Sequence, residues 1–171
     1  RPFGNDLVSD SHIIIRINAF FRLFSFGEIM VHNVFINFIS FLGLFMLYKH
    51  FKHFAVSKEK LLFLAIALVP SVLFWGSGLL KEGLILFALG LLLLHFNRLF
   101  NGFKLSSLLW VILSLLLLMF TKFYLLVALF IPMMGYVLHK IIQKKAWISY
   151  GLAIGGFILL VNLSPLLHGE L

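Results

Sequence analysis

Apolar residues in this chain gather into continuous runs rather than alternating with polar ones. Six runs stand out: Ile29–Tyr48, Leu61–Leu80, Gly83–Asn97, Ser106–Phe120, Tyr124–Leu138 and Ala146–Leu163. A helix that crosses a bilayer needs about 20 residues, within a range of roughly 17–25. The first, second and sixth runs reach that length, and the middle three, at about fifteen residues each, fall short of it. Backbone groups in contact with lipid must be satisfied within their own segment, so long apolar runs predict helices. A transmembrane barrel would alternate over about ten residues per strand, and the unbroken run Leu105–Phe120 excludes it. The expectation is an all-α, polytopic membrane bundle of about six transmembrane helices, occupying residues 29–163 between an outer segment 1–28 and a tail 164–171.

Ahead of the first run, Ser11–Phe26 mixes isoleucines and phenylalanines with Arg16, Asn18 and Arg22. It is too polar to span and too apolar to sit in water, which predicts an amphipathic helix lying on the membrane surface, with Ser11 as its N-cap.

Composition makes lipid the solvent. The 171 residues are 62% hydrophobic and 12% charged, with a mean hydropathy of +1.09. A soluble domain carries roughly 25% charge, and a chain this short cannot hide so much apolar surface in one core. The net charge of +8 could suggest nucleic acid, but basic residues also accumulate in the cytoplasmic loops of membrane proteins, so membrane lipids and not nucleic acid are the expected partners. The absence of cysteine excludes disulfides and thiolate metal sites. The chain starts at Arg1 with no visible signal-peptide pattern, and an apolar run lies close to its last residue, which reads as a piece of a longer chain or a gene model lacking its start.

Charge then orients the bundle. Lys49, Lys52, Lys58 and Lys60 lie in the first loop, Arg98 and Lys104 in the third, and Lys140, Lys144 and Lys145 in the fifth. These loops alternate with the spans, so they share one face, the expected cytoplasmic one. Asp6, Asp10, Glu28, Glu82 and Glu170 fall on the opposite side, and of the acids only Glu59 does not.

Candidate chemistry gathers on the acidic side. The stretch Pro70–Gly83 contains a helix-breaking proline, Gly76, Ser77 and Gly78, and the charged turn Lys81–Glu82. Helices of fifteen residues rise only about 22 Å through a hydrocarbon layer of roughly 30 Å, so Lys81, Glu82 and Lys122 could line a recess open to the outside. The plainer alternative is that both lysines snorkel to the interface. Asp6 and Asp10 are the candidate carboxylates, able to serve as a general base or to hold a divalent cation, or simply solvated in a loop. Asn33, Asn37 and Ser40 form a polar stripe expected to hydrogen-bond a neighbouring helix. Of the histidines, His32, His95 and His139 read as interfacial, and His50 and His53 sit in a lysine-rich loop unsuited to a cation. His12 and His168 lie on the acidic side with little to tie them to a site.

The run Leu68-Val69-Pro70-Ser71-Val72-Leu73-Phe74-Trp75-Gly76-Ser77-Gly78-Leu79-Leu80-Lys81-Glu82 resembles the Pro-Ser-x-x-Phe-Trp-x-Ser-Gly-x-x-Lys-acid segment of bacterial multi-span proteins of envelope polysaccharide synthesis, the GT-C-type, lipid-carrier-dependent glycosyltransferases. Thr121-Lys122-Phe123-Tyr124 followed by Pro132 is similar to the basic-aromatic and proline pattern of that group, and the likeness covers mainly residues 61–138. It implies an enzyme of the bacterial inner membrane that uses a polyprenyl-phosphate sugar donor at the extracytoplasmic face. It also implies a carboxylate of the first external loop as base, here Asp6 or Asp10, although the adjacent acidic pair usual there is absent. Lys81, Lys122, Arg16 and Arg22 would then serve the phosphate donor by charge-assisted contacts, with Glu82 beside them in the donor-binding set. An O-antigen-like polysaccharide polymerase is the enzymatic rival; a transporter or flippase and a non-catalytic envelope-assembly subunit are the rivals from other classes.

The orientation is directly testable, because the chain has no cysteine of its own. Ala55→Cys and Ile142→Cys should resist an impermeant thiol reagent in intact cells, and Val8→Cys should react. Labelling at position 55 in sealed cells would overturn the topology.

Overall fold

The computed structural model describes residues 19–22, 25, 28–55, 57–78, 80–143 and 145–167. All secondary structure among them is helical, with no strand. The elements are α1 (Ile29–Phe51), a 3₁₀ turn (Lys52–Phe54), α2 (Glu59–Ala67), α3 (Pro70–Gly76), α4 (Lys81–Asn101), α5 (Leu105–Thr121), α6 (Phe123–Ile142) and α7 (Ala146–Leu167). Residues 19–22 are also helical, and the rest of the surface helix expected over Ser11–Phe26 falls mostly outside the described residues.

The chain divides into two compact units, Arg1–Lys122 and Phe123–Leu171. Among the described residues three helices are long and apolar enough to cross a membrane: α1 with its 3₁₀ extension (26 residues), α4 (21 residues) and α6 (20 residues). A fourth arises if α2 and α3, bent by 51° at their junction, count as one broken span. Leu105–Thr121 and Ala146–Leu159 are shorter apolar helices.

The helices outrun the apolar runs inside them. Helix α4 takes in Lys81 and Glu82 at its start and Arg98 and Asn101 at its end, so it rises about 32 Å rather than 22 Å. Helix α6 likewise has 20 residues. A recess made by three short helices therefore loses its premise, because polar residues at helix ends continue the backbone ladder regardless of their hydropathy. Only α5, with 17 residues, stays short.

In the first unit α1 and α4 are the central pair. The buried residues of α1, His32, Ile36, Ser40 and Gly43, form a single stripe. Gly83 of α4 meets Ile36 and Ser40, and Gly90 meets Gly43 and Met46. The contacts advance in step, so the two helices run parallel. A methyl added at Gly43 would lie 2.5 Å from the backbone of Leu86 and Phe87, and one at Gly90 would overlap the Gly43 carbonyl. Backbone thus rests on backbone, as small residues allow between membrane helices.

Helix α5 returns against α4 after a short loop, burying Ser107, Val111, Ser114, Leu118 and Thr121. The Ser114 hydroxyl donates to the Val111 carbonyl at 2.7 Å and the Thr121 hydroxyl to that of Leu117, so these polar groups are satisfied within their own helix. Outward faces are apolar: Phe38, Phe41 and Phe45 of α1 and Leu109, Ile112 and Leu116 of α5 are exposed.

The break before α3 has a local cause. Pro70 opens the new helix, where its missing N–H costs nothing, and it forces Val69 into an extended conformation with ψ 120°. In the second unit α6 and α7 pack as a hairpin, with Gly135 closed against the Tyr150 ring.

The α1–α4 contact sets a clear expectation. Gly43→Ala should destabilise the chain by about 1–3 kcal/mol, the usual penalty of overpacking. Gly151→Ala, where an added methyl meets nothing within 4 Å, should be neutral or gain about 0.5–1 kcal/mol of helix propensity. Unfolding in mixed detergent micelles distinguishes them; equal stability of the two variants would refute the close crossing.

Candidate functional site

Parallel packing of α1 and α4 sorts the charges of the first unit. The C-terminal ends of both helices lie together, so the loop holding Lys49, Lys52, Lys58 and Lys60 and the loop holding Arg98 and Lys104 share one end. An ion pair between Lys52 and Glu59 at 3.0 Å closes the first of these loops. The opposite end holds Glu28 at the entry to α1 and Glu82 at the start of α4.

At that second end the structure assembles part of the candidate site. Lys122 Nζ lies 3.2 Å from Glu82 Oε1, across 40 residues of sequence. Glu82 sits in the first turn of α4 and Lys122 caps the C-terminus of α5. Each charge therefore opposes the dipole of its own helix end, and the antiparallel return of α5 along α4 brings the two ends together. The side chains are 27% and 22% exposed for Glu82 and Lys122 respectively, so that solvent screening does not erase their attraction. Lys81, next to Glu82, is half-buried.

Three small residues hold this corner in place. A methyl on Gly76, at the end of α3, would lie 2.9 Å from Ser40 Oγ, and one on Gly83 would lie 3.3 Å from Ser40 Cβ. Ser40 of α1 thus fits between the end of α3 and the start of α4, and the turn carrying Lys81 and Glu82 is anchored from both sides. Gly76 and Gly83, at the two ends of the turn, have this packing role. Ser77 donates to the Phe74 carbonyl at 3.2 Å, closing α3.

The other candidates fall out differently. Arg22 is exposed on the helical stretch 19–22. Asp6, Asp10, Arg16, His12 and His168 lie outside the described residues, and no cluster of three or more metal-ligating side chains occurs among the described ones. The polar stripe of α1 splits. Ser40 is buried in the corner, whereas the carboxamide oxygens of Asn33 and Asn37 are buried without a hydrogen-bond partner. The interhelical bonds expected of those two oxygens are not formed.

Sequence reasoning missed His32. It is buried rather than interfacial, and its Nε2 shares a hydrogen bond of 2.5 Å with the Ser25 hydroxyl. The available signal was its position one turn before Ile36 on the stripe that faces α4.

Comparison of the chain with protein-family models, curated proteins and solved structures finds no match.

The Glu82–Lys122 contact predicts energetic coupling. In a double-mutant cycle with Glu82→Gln and Lys122→Met, the interaction should be worth about 0.5–3 kcal/mol, read from unfolding in detergent micelles. Strict additivity would mean that the pair does not hold the hairpin ends.

Proposed function

We propose that the chain is a membrane glycosyltransferase, moving a sugar from a polyprenyl-phosphate carrier to an acceptor hydroxyl at the extracytoplasmic face of a bacterial cytoplasmic membrane. In this reading the bundle has about six spans, with α2 and α3 forming one broken span and α5 and α7 completing the set. The end of the first unit that collects the lysine-rich loops faces the cytoplasm, and Glu82, Lys122 and Lys81 face outward.

The observation that carries the reading is the ion pair of Glu82 and Lys122 beside Lys81, two distant segments of the resembling pattern joined at one helix corner. In the reaction, the acceptor oxygen forms a bond to the anomeric carbon while the bond from that carbon to the phosphate oxygen breaks. The electron pair leaves with the carrier phosphate, and the acceptor proton passes to a base. Cations fixed near the leaving phosphate stabilise the charge that develops there. Lys122, positioned by Glu82, and Lys81 suit that role, with Arg16 and Arg22 as further cations and a divalent cation as an optional aid. Asp6 or Asp10 takes the proton.

A transporter would be expected to carry charges at mid-membrane and paired broken helices. The described residues contain one bent pair, and Glu82 and Lys122 sit at helix ends, which favours the transferase.

The assay is sugar transfer from a polyprenyl-phosphate donor by the full-length protein in nanodiscs. Lys81→Ala and Lys122→Ala should each lower transfer efficiency roughly ten- to a hundredfold, the value of one charge-assisted contact of about 1.5–3 kcal/mol, and Lys122→Arg should retain most of it. Asp10→Asn should lower kcat with the donor KM unchanged. Full activity in the double lysine variant would reject the proposal.

A further inference from the structure

At the opposite end of the α4–α5 hairpin lies a cavity of about 580 Å³, lined by His95, Arg98 and Asn101 of α4 and by Lys104, Ser106 and Ser107 at the start of α5. We propose that it is a binding site for a phosphate group, separate from the Glu82–Lys122 corner. Helix α4 alone puts about 30 Å between the two places.

Four features converge on an anion. Arg98 and Lys104 bring two positive charges to the lining, which contains no carboxylate. Helix α5 begins here with no side-chain cap, so its first amides point outward with the positive end of the helix dipole. Ser107 is only 5% exposed and brings a hydroxyl to the wall of the cavity. His95, also in the lining, has a buried Nδ1 that lacks a partner. A buried ring nitrogen left without a partner is costly. A phosphate oxygen would accept from the hydroxyl and from a protonated Nδ1, while Arg98 and Lys104 balance its charge.

Phosphate of this kind has two sources, a lipid headgroup or a soluble phosphate ion. Basic pockets between membrane helices on the positive side are suited to phospholipid headgroups. Exposed Phe103, Leu109 and Trp110 beside the cavity offer an apolar surface to acyl chains.

Trp110 supplies the readout, because its ring lies 6.0 Å from that of His95. The experiment uses the full chain carrying Trp75→Phe and Trp147→Phe, reconstituted in phosphatidylcholine vesicles. Brominated phosphatidic acid should quench Trp110 more strongly than brominated phosphatidylcholine does, and added salt should weaken the preference. Arg98→Gln should lower the apparent association constant roughly tenfold or more, the loss expected for one charge-assisted contact, and Ser107→Ala should lower it less. Lys104→Gln is the second charge variant should Arg98→Gln not fold, each variant being checked by circular dichroism. If inorganic phosphate changes Trp110 emission and displaces the lipid effect, the site takes soluble phosphate. Selective quenching that inorganic phosphate does not displace assigns it to lipid. Equal quenching by the two lipids together with no response to inorganic phosphate would overturn the proposal, whatever the fate of the transferase reading.

Discussion

The first unit depends on the contact of bare backbone where α1 crosses α4 at Gly43 and Gly90. Apolar side chains gain little by leaving lipid for one another, so helices in a membrane associate through close packing and polar contacts. Two glycines one above the other let the helices approach until a carbonyl of one touches the other. From that crossing follow the parallel direction of α1 and α4, the position of Ser40 between Gly76 and Gly83, and the placing of the α4 N-terminus beside the end of α5.

Charge follows packing. Parallel α1 and α4 collect two lysine- and arginine-bearing loops at one end, while Glu82 and Lys122 meet at the other. Both helix termini favour this arrangement, with an acid in the first turn of α4 and a base at the end of α5. The same hairpin therefore offers a paired charge at one end and a basic concavity with no carboxylate in its lining at the other. In the proposed function the first would position a phosphate-linked donor, and in the further proposal the second would hold a phosphate.

Hydrogen bonding marks where the packing is complete and where it is not. Ser114 and Thr121 turn their hydroxyls back onto their own helix, and His32 finds Ser25. Asn33, Asn37 and His95 keep buried atoms without partners. Such orphaned groups are expensive in a dry interior; those of Asn33 and Asn37 lie on α1 toward the corner of Glu82 and that of His95 in the basic cavity, while those of His50, His139 and Ser149 lie elsewhere.

The sequence by itself determined the helical class, the break at Pro70 and the segregation of charge. Each of these follows from a local rule: backbone satisfaction in lipid, the missing proline N–H, and the sidedness of lysine and arginine. It led to the expectation that Lys81, Glu82 and Lys122 share one side, but it could not say that Glu82 and Lys122 touch. That contact spans 40 residues and depends on how closely α4 and α5 pack. Helix length was also misread from hydropathy, because Lys81, Glu82, Arg98 and Asn101 continue the α4 backbone ladder although they end its apolar run. Only the tertiary structure decided the rest: the Gly43–Gly90 crossing, the burial of His32 and the cavity at the start of α5. Each arises where residues from different segments meet, and the pattern of hydrophobic and polar positions along one segment contains no record of what faces it.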